Sequence, residues 1–391
     1  MIRRLIIECG AAETRAALLI DGKVWKFWFG PARGDEETDT SPRPGRRFAG
    51  RVLRVDNSLR AAFIQIGGTL DGFLTINKTN APHCVEGAMA SVEIKTPPRQ
   101  QKGAVLRFVG PLDATVKPGR LPPFLDSALE AVRAFGAEVD EVAIDDGDAA
   151  RVLTVQGVQN VVHEAQRAPL FARFEIDAAL DAAFRRDVPL IGGGALTIDE
   201  TQALTAIDVD TGDLTASSPE RLREKIAVAA MSEAIRQISL RNIGGHVVID
   251  LPKIKGDSGR KKLQQHIHKE LSRLDKVSAA GFSKSGLFSF VLPHLESPLL
   301  ERYAEEGRCQ PQSGRRFKLD FLARRALGEL ENHLRATPSG KFQLAIGAAL
   351  EGYLTKHAHW CERLRAKYGS RFEITPSATC GERSHDISEQ R

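Results

Sequence analysis

The chain of 391 residues is poor in cysteine, and the cysteines it has are not paired. Cys9, Cys84, Cys309, Cys361 and Cys380 are odd in number, widely scattered and never arranged as Cys-x-x-Cys. Neither a disulfide framework nor a self-contained zinc finger is signalled, and the expectation is free thiols. Long hydrophobic runs are missing as well. The opening MIRRLIIECG returns to charge and polarity after a few apolar residues, which fits neither a signal peptide nor a membrane span, so a cytoplasmic protein is expected. Nor is the chain short of core-forming residues: 42% are apolar and 27% charged, the balance of a folded globular protein rather than a disordered one. Its length suits about two to four domains. A net charge of +5 is compatible with an anionic partner without establishing one.

Three short apolar runs, LIIEC, RAALLI and KVWKFWF, read as a meander of strands, and the polar PARGDEETDTSPRPGRR after them reads as a loop or boundary. From Phe48 onward FAGRVLRV, AAFIQIGG, DGFLTI, ASVEIKT and GAVLRFVG follow one another at the rhythm of a small closed barrel of the OB type. Phe63 and Phe73 lie in its second and third runs, and Lys102 precedes the fifth. The two phenylalanines have two readings: barrel core, or a base-stacking platform beside basic side chains. Beyond the barrel, helical and strand-like stretches alternate. A long helix is expected from about Pro219 to Leu240, its entry SSPE offering a capping serine and a proline in the first turn. Such alternation implies an α/β layer whose strand ends present residues to a cleft.

Two strongly apolar strands in that layer end on carboxylates, ALTAIDVD on Asp208 and Asp210 and HVVIDL on Asp250. Side chains alternate along a strand, so Asp208 and Asp210 share a face. If the strands are neighbours, three acids converge, and clustered carboxylates call for a cation. A hard ion such as Mg²⁺ takes one or two carboxylates and keeps its other positions for water and phosphate oxygens, which suits phosphodiester hydrolysis. The competing reading is that each aspartate caps the turn that follows it.

The segments FEIDAALDAAFRRDVPLIGGGALTIDETQALTAIDVDTG, EAIRQISLRNIGGHVVIDL and GFSKSGLFSF resemble the catalytic core of the RNase E/G family of endoribonucleases. The opening RLIIECGAAETRAALLIDG and the barrel stretch FAGRVLRVDNSLRAAFIQIGGTLDGFL agree with that family in order and spacing, so the resemblance covers most of the chain. It implies an α/β multidomain fold. An RNase H-like subdomain takes residues 1–35 and 111–183, an S1-type OB-fold β-barrel is inserted over 36–110, a DNase I-like catalytic subdomain spans 184–305, and a degenerate zinc-link segment with a small C-terminal α/β domain occupies 306–391. It also implies Mg²⁺, with Mn²⁺ as a substitute, on Asp208 and Asp250. Asp210 stands where the family has an asparagine that orients the acids. Single-stranded RNA would be gripped by Phe63, Phe73 and Lys102 and met by the basic Arg241 and Lys284. The implied activity is endoribonucleolytic cleavage in RNA processing or decay; the alternative is an RNA-binding protein on the same fold with weak or no cleavage.

The departures from the family pattern are specific. Leu292, His294 and Glu296 stand where a basic segment is usual, and Lys225 and Ala227 where asparagines are common. Cys309 keeps one cysteine of the zinc link, but Gln312 replaces the other, leaving two protomers with too few thiolates for a four-ligand site; no zinc is expected, and a homodimer or higher oligomer would have to form without it. His357 and His359, near Cys361, point apart if helical and read as surface side chains. No RTAG-like segment and no room for a 5′-sensor domain follow the barrel, so the chain reads as a short form of the family.

Overall fold

The structure, a computed structural model, describes residues 2–99, 102–136, 139–165, 168–212, 219–307 and 315–390. The chain is an α/β multidomain protein and separates into two compact units, one made of Met1–Asp39, Phe124–Asp181 and Tyr303–Arg391, the other of Thr40–Pro123 and Ala182–Arg302.

The first unit holds a five-stranded sheet in the order Val161–His163, Glu141–Ile144, Arg3–Cys9, Glu13–Ile20, Lys23–Pro31. The expected meander forms its antiparallel half, and the other two strands add in parallel. Leu5, Ile6 and Ile7 are all fully buried, as a central strand covered on both faces requires. Helices Ser127–Phe135 and Gly147–Val155 are started by Asp126 and Asp146, whose carboxylates accept from Ala128 N and Ala149 N. Arg33 donates to both caps, at 2.9 and 2.7 Å, and so fixes the two helix starts together. Near the end of the chain, strands Phe372–Pro376, Lys341–Ile346 and His385–Gln390 form a second sheet against helix Leu319–Ala336. Its apolar core runs on to Ala11 and Ala12. Buried Glu331 accepts from Ala11 N, Arg335, Lys367 and Tyr368; burial pushes its carboxyl up, but the Arg335 and Lys367 cations outweigh that and hold it at about 2.

In the second unit, Arg47–Asp56, Ala61–Gln65, Gly72–Thr75, Val105–Leu112 and Met89–Thr96 pair in that order, and the last returns to the first, so the sheet closes into a five-stranded barrel. Its core is filled by Phe48, Val52, Ile64, Val92, Ile94 and their neighbours. The chain then continues into a six-stranded sheet ordered Asp187–Pro189, Ala195–Glu200, Leu204–Asp210, Gly245–Asp250, Phe288–Leu292, Ser278–Phe282. Helix Pro219–Leu240 has the span that the sequence implies and buries Ile226, Ala230, Ala234 and Ile238 at helical spacing. It packs against the strands Ala195–Glu200 and Leu204–Asp210. One face of the sheet is thereby covered, and the other carries the alternate residues.

Candidate active site and nucleic-acid surface

The two acid-bearing strands are neighbours and run parallel, with Leu204 opposite His246, Ala206 opposite Val248 and Asp208 opposite Asp250. In-register residues of parallel strands lie about 4.8 Å apart on the same side of the sheet. Thr205, Ile207, Val247 and Ile249 are buried beneath them, while Asp208, Asp210 and Asp250 are exposed at the carboxyl ends of the strands. The structure separates the three acids. Asp208 and Asp250 form a side-by-side pair, whereas the Asp210 carboxylate accepts from Gly212 N at 2.8 Å and closes the following turn. Among the described residues no group of three or more His, Cys, Asp or Glu side chains is arranged to hold a metal ion. The pair alone suits a cation that needs only one or two carboxylates and fills its shell with water and phosphate oxygens.

Lys284 lies exposed at the tip of the hairpin joining Ser278–Phe282 to Phe288–Leu292, held by Ser283 N donating to Leu287 O and Gly286 N to Ser283 O. Phe288 pairs with Ile249, so this tip is at the Asp250 end of the sheet. Lys253, which the sequence reading passed over, reaches the same turn: a Cβ on Gly286 would lie 3.9 Å from its Cε. The signal for it was its place, three residues beyond Asp250.

On the barrel, Phe63 and Phe73 are cross-strand partners whose rings meet edge to face with centroids 5.9 Å apart. They alternate with the buried Ala62, Ile64 and Leu74 and stand on the outer surface, half-exposed, which overturns the core alternative for both. Arg54 lies over the Phe63 ring, its guanidinium carbon 4.2 Å from the centroid. This residue too was missed, although it sits on the neighbouring strand in register with Phe63. Lys102 is exposed in the loop before the last barrel strand, bridged to Arg99 through the backbone.

Arg241 corrects an expectation. It is 1% exposed, and its guanidinium donates to Gln237 Oε1 at 2.9 Å and to Arg185 O at 2.8 Å, so it knits helix to chain and presents nothing to RNA. Burial pulls its ionisation down to about 10. Ala227 is likewise fully buried in the helix–sheet core. The segment around Leu292, His294 and Glu296 also has a structural use. Leu292 is buried, the Arg99 guanidinium meets the His294 imidazole, and Ser297 Oγ donates to Pro98 O at 3.5 Å, so this stretch receives the barrel loop. Burial, then the Arg99 and Lys102 charges, lowers His294 to about 4, and the neutral ring accepts from Arg99.

Cys9, Cys84, Cys361 and Cys380 are free thiols; Cys309 and Gln312 lie outside the described residues. His357 stacks between Tyr353 and Trp360 with centroids at 4.3 and 4.6 Å, and His359 lies 3.5 Å from an Asp35 oxygen. Among the described residues no helix is long and apolar enough to cross a membrane.

Residues 117–291, which include both acid strands and the hairpin, match the Ribonuclease E/G family. The chain is 34% identical over 133 residues to a putative ribonuclease E of Buchnera aphidicola subsp. Baizongia pistaciae (34% of this chain, 32% of that protein). It is 33% identical over 129 residues to ribonuclease G of Escherichia coli K12 (32% and 26%) and 28% identical over 151 residues to a chloroplastic ribonuclease E/G-like protein of Arabidopsis thaliana (38% and 15%). The matched part therefore spans a third or less of each of these relatives. The acid pair and its flanking strands thus lie inside a region that is similar to the ribonuclease E/G family.

Proposed function

We propose that the protein is a metal-dependent endoribonuclease that captures single-stranded RNA on the outer surface of its barrel and cleaves it at the end of the six-stranded sheet. The observation that carries this reading is the in-register pairing of Asp208 with Asp250 on parallel strands, inside the region that matches a ribonuclease family. Asp208 and Asp250 would hold the cation, Mg²⁺ or Mn²⁺. Bound there, it would supply a more acidic water and charge stabilisation at the phosphoryl group. Asp210 shapes the turn behind the pair rather than completing a three-acid cluster. Lys284 and Lys253 place positive charge beside the acids, where a phosphate chain must be drawn in against carboxylate repulsion.

Capture is assigned to Phe63, Phe73 and Lys102. Half-exposed rings on a barrel, with Arg54 over one of them, suit sequence-tolerant base stacking beside phosphate contacts. The strand order of the barrel agrees with an S1-type OB fold, and we read the six-stranded sheet as the DNase I-like and the five-stranded sheet as the RNase H-like subdomain of the family.

The test is incubation of the purified protein with an AU-rich single-stranded oligonucleotide, with Mg²⁺ or with EDTA, beside Asp208→Asn and Phe63→Ala. Cleavage is expected only with Mg²⁺ and only with Asp208 intact, and Phe63→Ala should weaken binding by about 1–3 kcal/mol. Binding without cleavage under all conditions would replace the enzyme with an RNA-binding protein on the same fold.

A further inference from the structure

The open face of the six-stranded sheet is organised in rungs set by strand register. The rung at the carboxyl ends of the parallel strands holds Asp208 and Asp250. The next holds Ala206, Val248 and Ser289, none larger than valine. The third holds Leu204, His246 and Val291. His246, Val248 and Asp250 are alternate residues of one strand and therefore share this face, opposite the buried Val247 and Ile249. Four residues of parallel strand separate His246 from Asp250, about 13 Å.

His246 is exposed, and its ring makes no hydrogen bond, ion pair or ring contact with any described residue. A free imidazole in the middle of a paired strand contributes nothing to the fold that another strand-forming residue would not. Its neighbours in the rung are apolar. Leu204 is 36% exposed, and Val291 is partly exposed on the other side. A flat ring between two aliphatic side chains offers a face to a planar apolar group, not a fork to a phosphate.

What that group is follows from where the rung lies. Gly244 and Gly245, at the start of the same strand, pack under His294, and His294 is the contact of the barrel loop that carries Arg99 and Lys102. The rung thus lies between a cationic barrel loop at one end of the strand and the acid pair at the other, with only Ala206, Val248 and Ser289 between it and the acids. A strand of RNA held on the barrel and cut at Asp208 and Asp250 would cross it.

We propose that Leu204, His246 and Val291 form a base-binding ledge that takes one unstacked base of single-stranded RNA against the His246 ring. Histidine is among the side chains on which splayed RNA bases stack. The ledge rests on the reading of the protein as a ribonuclease and adds to it a recognition residue distinct from the barrel aromatics and from the acids.

The test is the affinity of a fluorescent single-stranded RNA, measured by anisotropy in EDTA, for the wild type, His246→Thr, His246→Phe and Phe63→Ala. Threonine keeps a strand-forming residue but removes the ring, and should weaken binding about tenfold. Phenylalanine restores a stacking face and should return affinity to within about threefold of the wild type. A ring needed only for folding would not give that pattern. Unchanged affinity in His246→Thr, with Phe63→Ala still impaired, would sink the ledge and leave the function standing. Absence of RNA binding by the wild type would remove both. Should the threonine variant melt, photocrosslinking of thiouridine-substituted RNA to the wild type decides: an adduct on the peptide containing His246 supports the ledge, and adducts confined to other peptides overturn it.

Discussion

At the scale of single residues, Asp208 and Asp250 face each other across a parallel ladder with no cation between like charges unless one binds. Like charges directly opposite in a sheet cost roughly 0.2–1 kcal/mol. Neutralising one should therefore relieve the fold while removing a proposed ligand, the usual opposition between stability and activity at a site. Asp208→Asn and Asp250→Asn are each expected to melt slightly higher than the wild type in EDTA and to lose at least about a hundredfold in Mg²⁺-dependent cleavage. A calorimetric scan and a cleavage time course on the same preparations check both halves. Arg241 gives the opposite case. Its truncation to alanine leaves Gln237 Oε1 and Arg185 O without their donor in a buried place, so Arg241→Ala should cost about 2–4 kcal/mol in urea unfolding. The salt dependence of RNA binding should stay as in the wild type, because no phosphate contact is lost. The acids were legible in the sequence because strand alternation fixes which residues share a face. The burial of Arg241 was not, because a basic residue at a helix end looks the same whether it meets solvent or a carbonyl 56 residues earlier in the chain.

At the scale of elements, the contact between the barrel loop and the segment after Phe288–Leu292 joins residues 195 positions apart in the sequence. Composition at Leu292, His294 and Glu296 could be recognised as unusual for the family, but its use could not be read locally. The same holds for the phenylalanines, whose outward placement depends on which strand face the barrel closes upon. The strands and the long helix were far more legible, since their periodicity is a local property. His294 also gives this junction a pH dependence. The folded protein keeps it neutral down to about 4, whereas the unfolded chain protonates it near the ordinary 6.5. The unfolded state therefore binds more protons between these values, and the contribution is complete above pH 6.5 and lost as pH falls toward 4. The ring is half-exposed, so screening reduces the roughly 3 kcal/mol of the full shift to about 1 kcal/mol. Urea midpoints measured from pH 4 to 7 should fall more steeply toward acid in the wild type than in His294→Gln.

At the scale of the whole molecule, the course of the chain between its barrel and its next helix bears on which RNAs the proposed enzyme would accept. After Val105–Leu112 closes the barrel, Gly119–Arg120 returns to pair with Phe48 and Ala49, and Ser127 already begins a helix capped by Asp126. The residues between are spent on that return and that cap, and no separate lobe is inserted there. Discrimination of a 5′-terminal monophosphate requires several fixed donors around one group, such as an arginine fork with a backbone amide. Arg33, the arginine tied to this helix start, is already committed to Asp126 and Asp146. On the proposed function, RNA should therefore enter through the barrel at internal single-stranded sites, with no advantage for a phosphorylated end. Two oligonucleotides identical except for a 5′-monophosphate or a 5′-hydroxyl are expected to be bound and cleaved at similar rates. A preference of tenfold or more, about 1.4 kcal/mol of discrimination, would mean that some other surface of the protein supplies the donors this connection lacks.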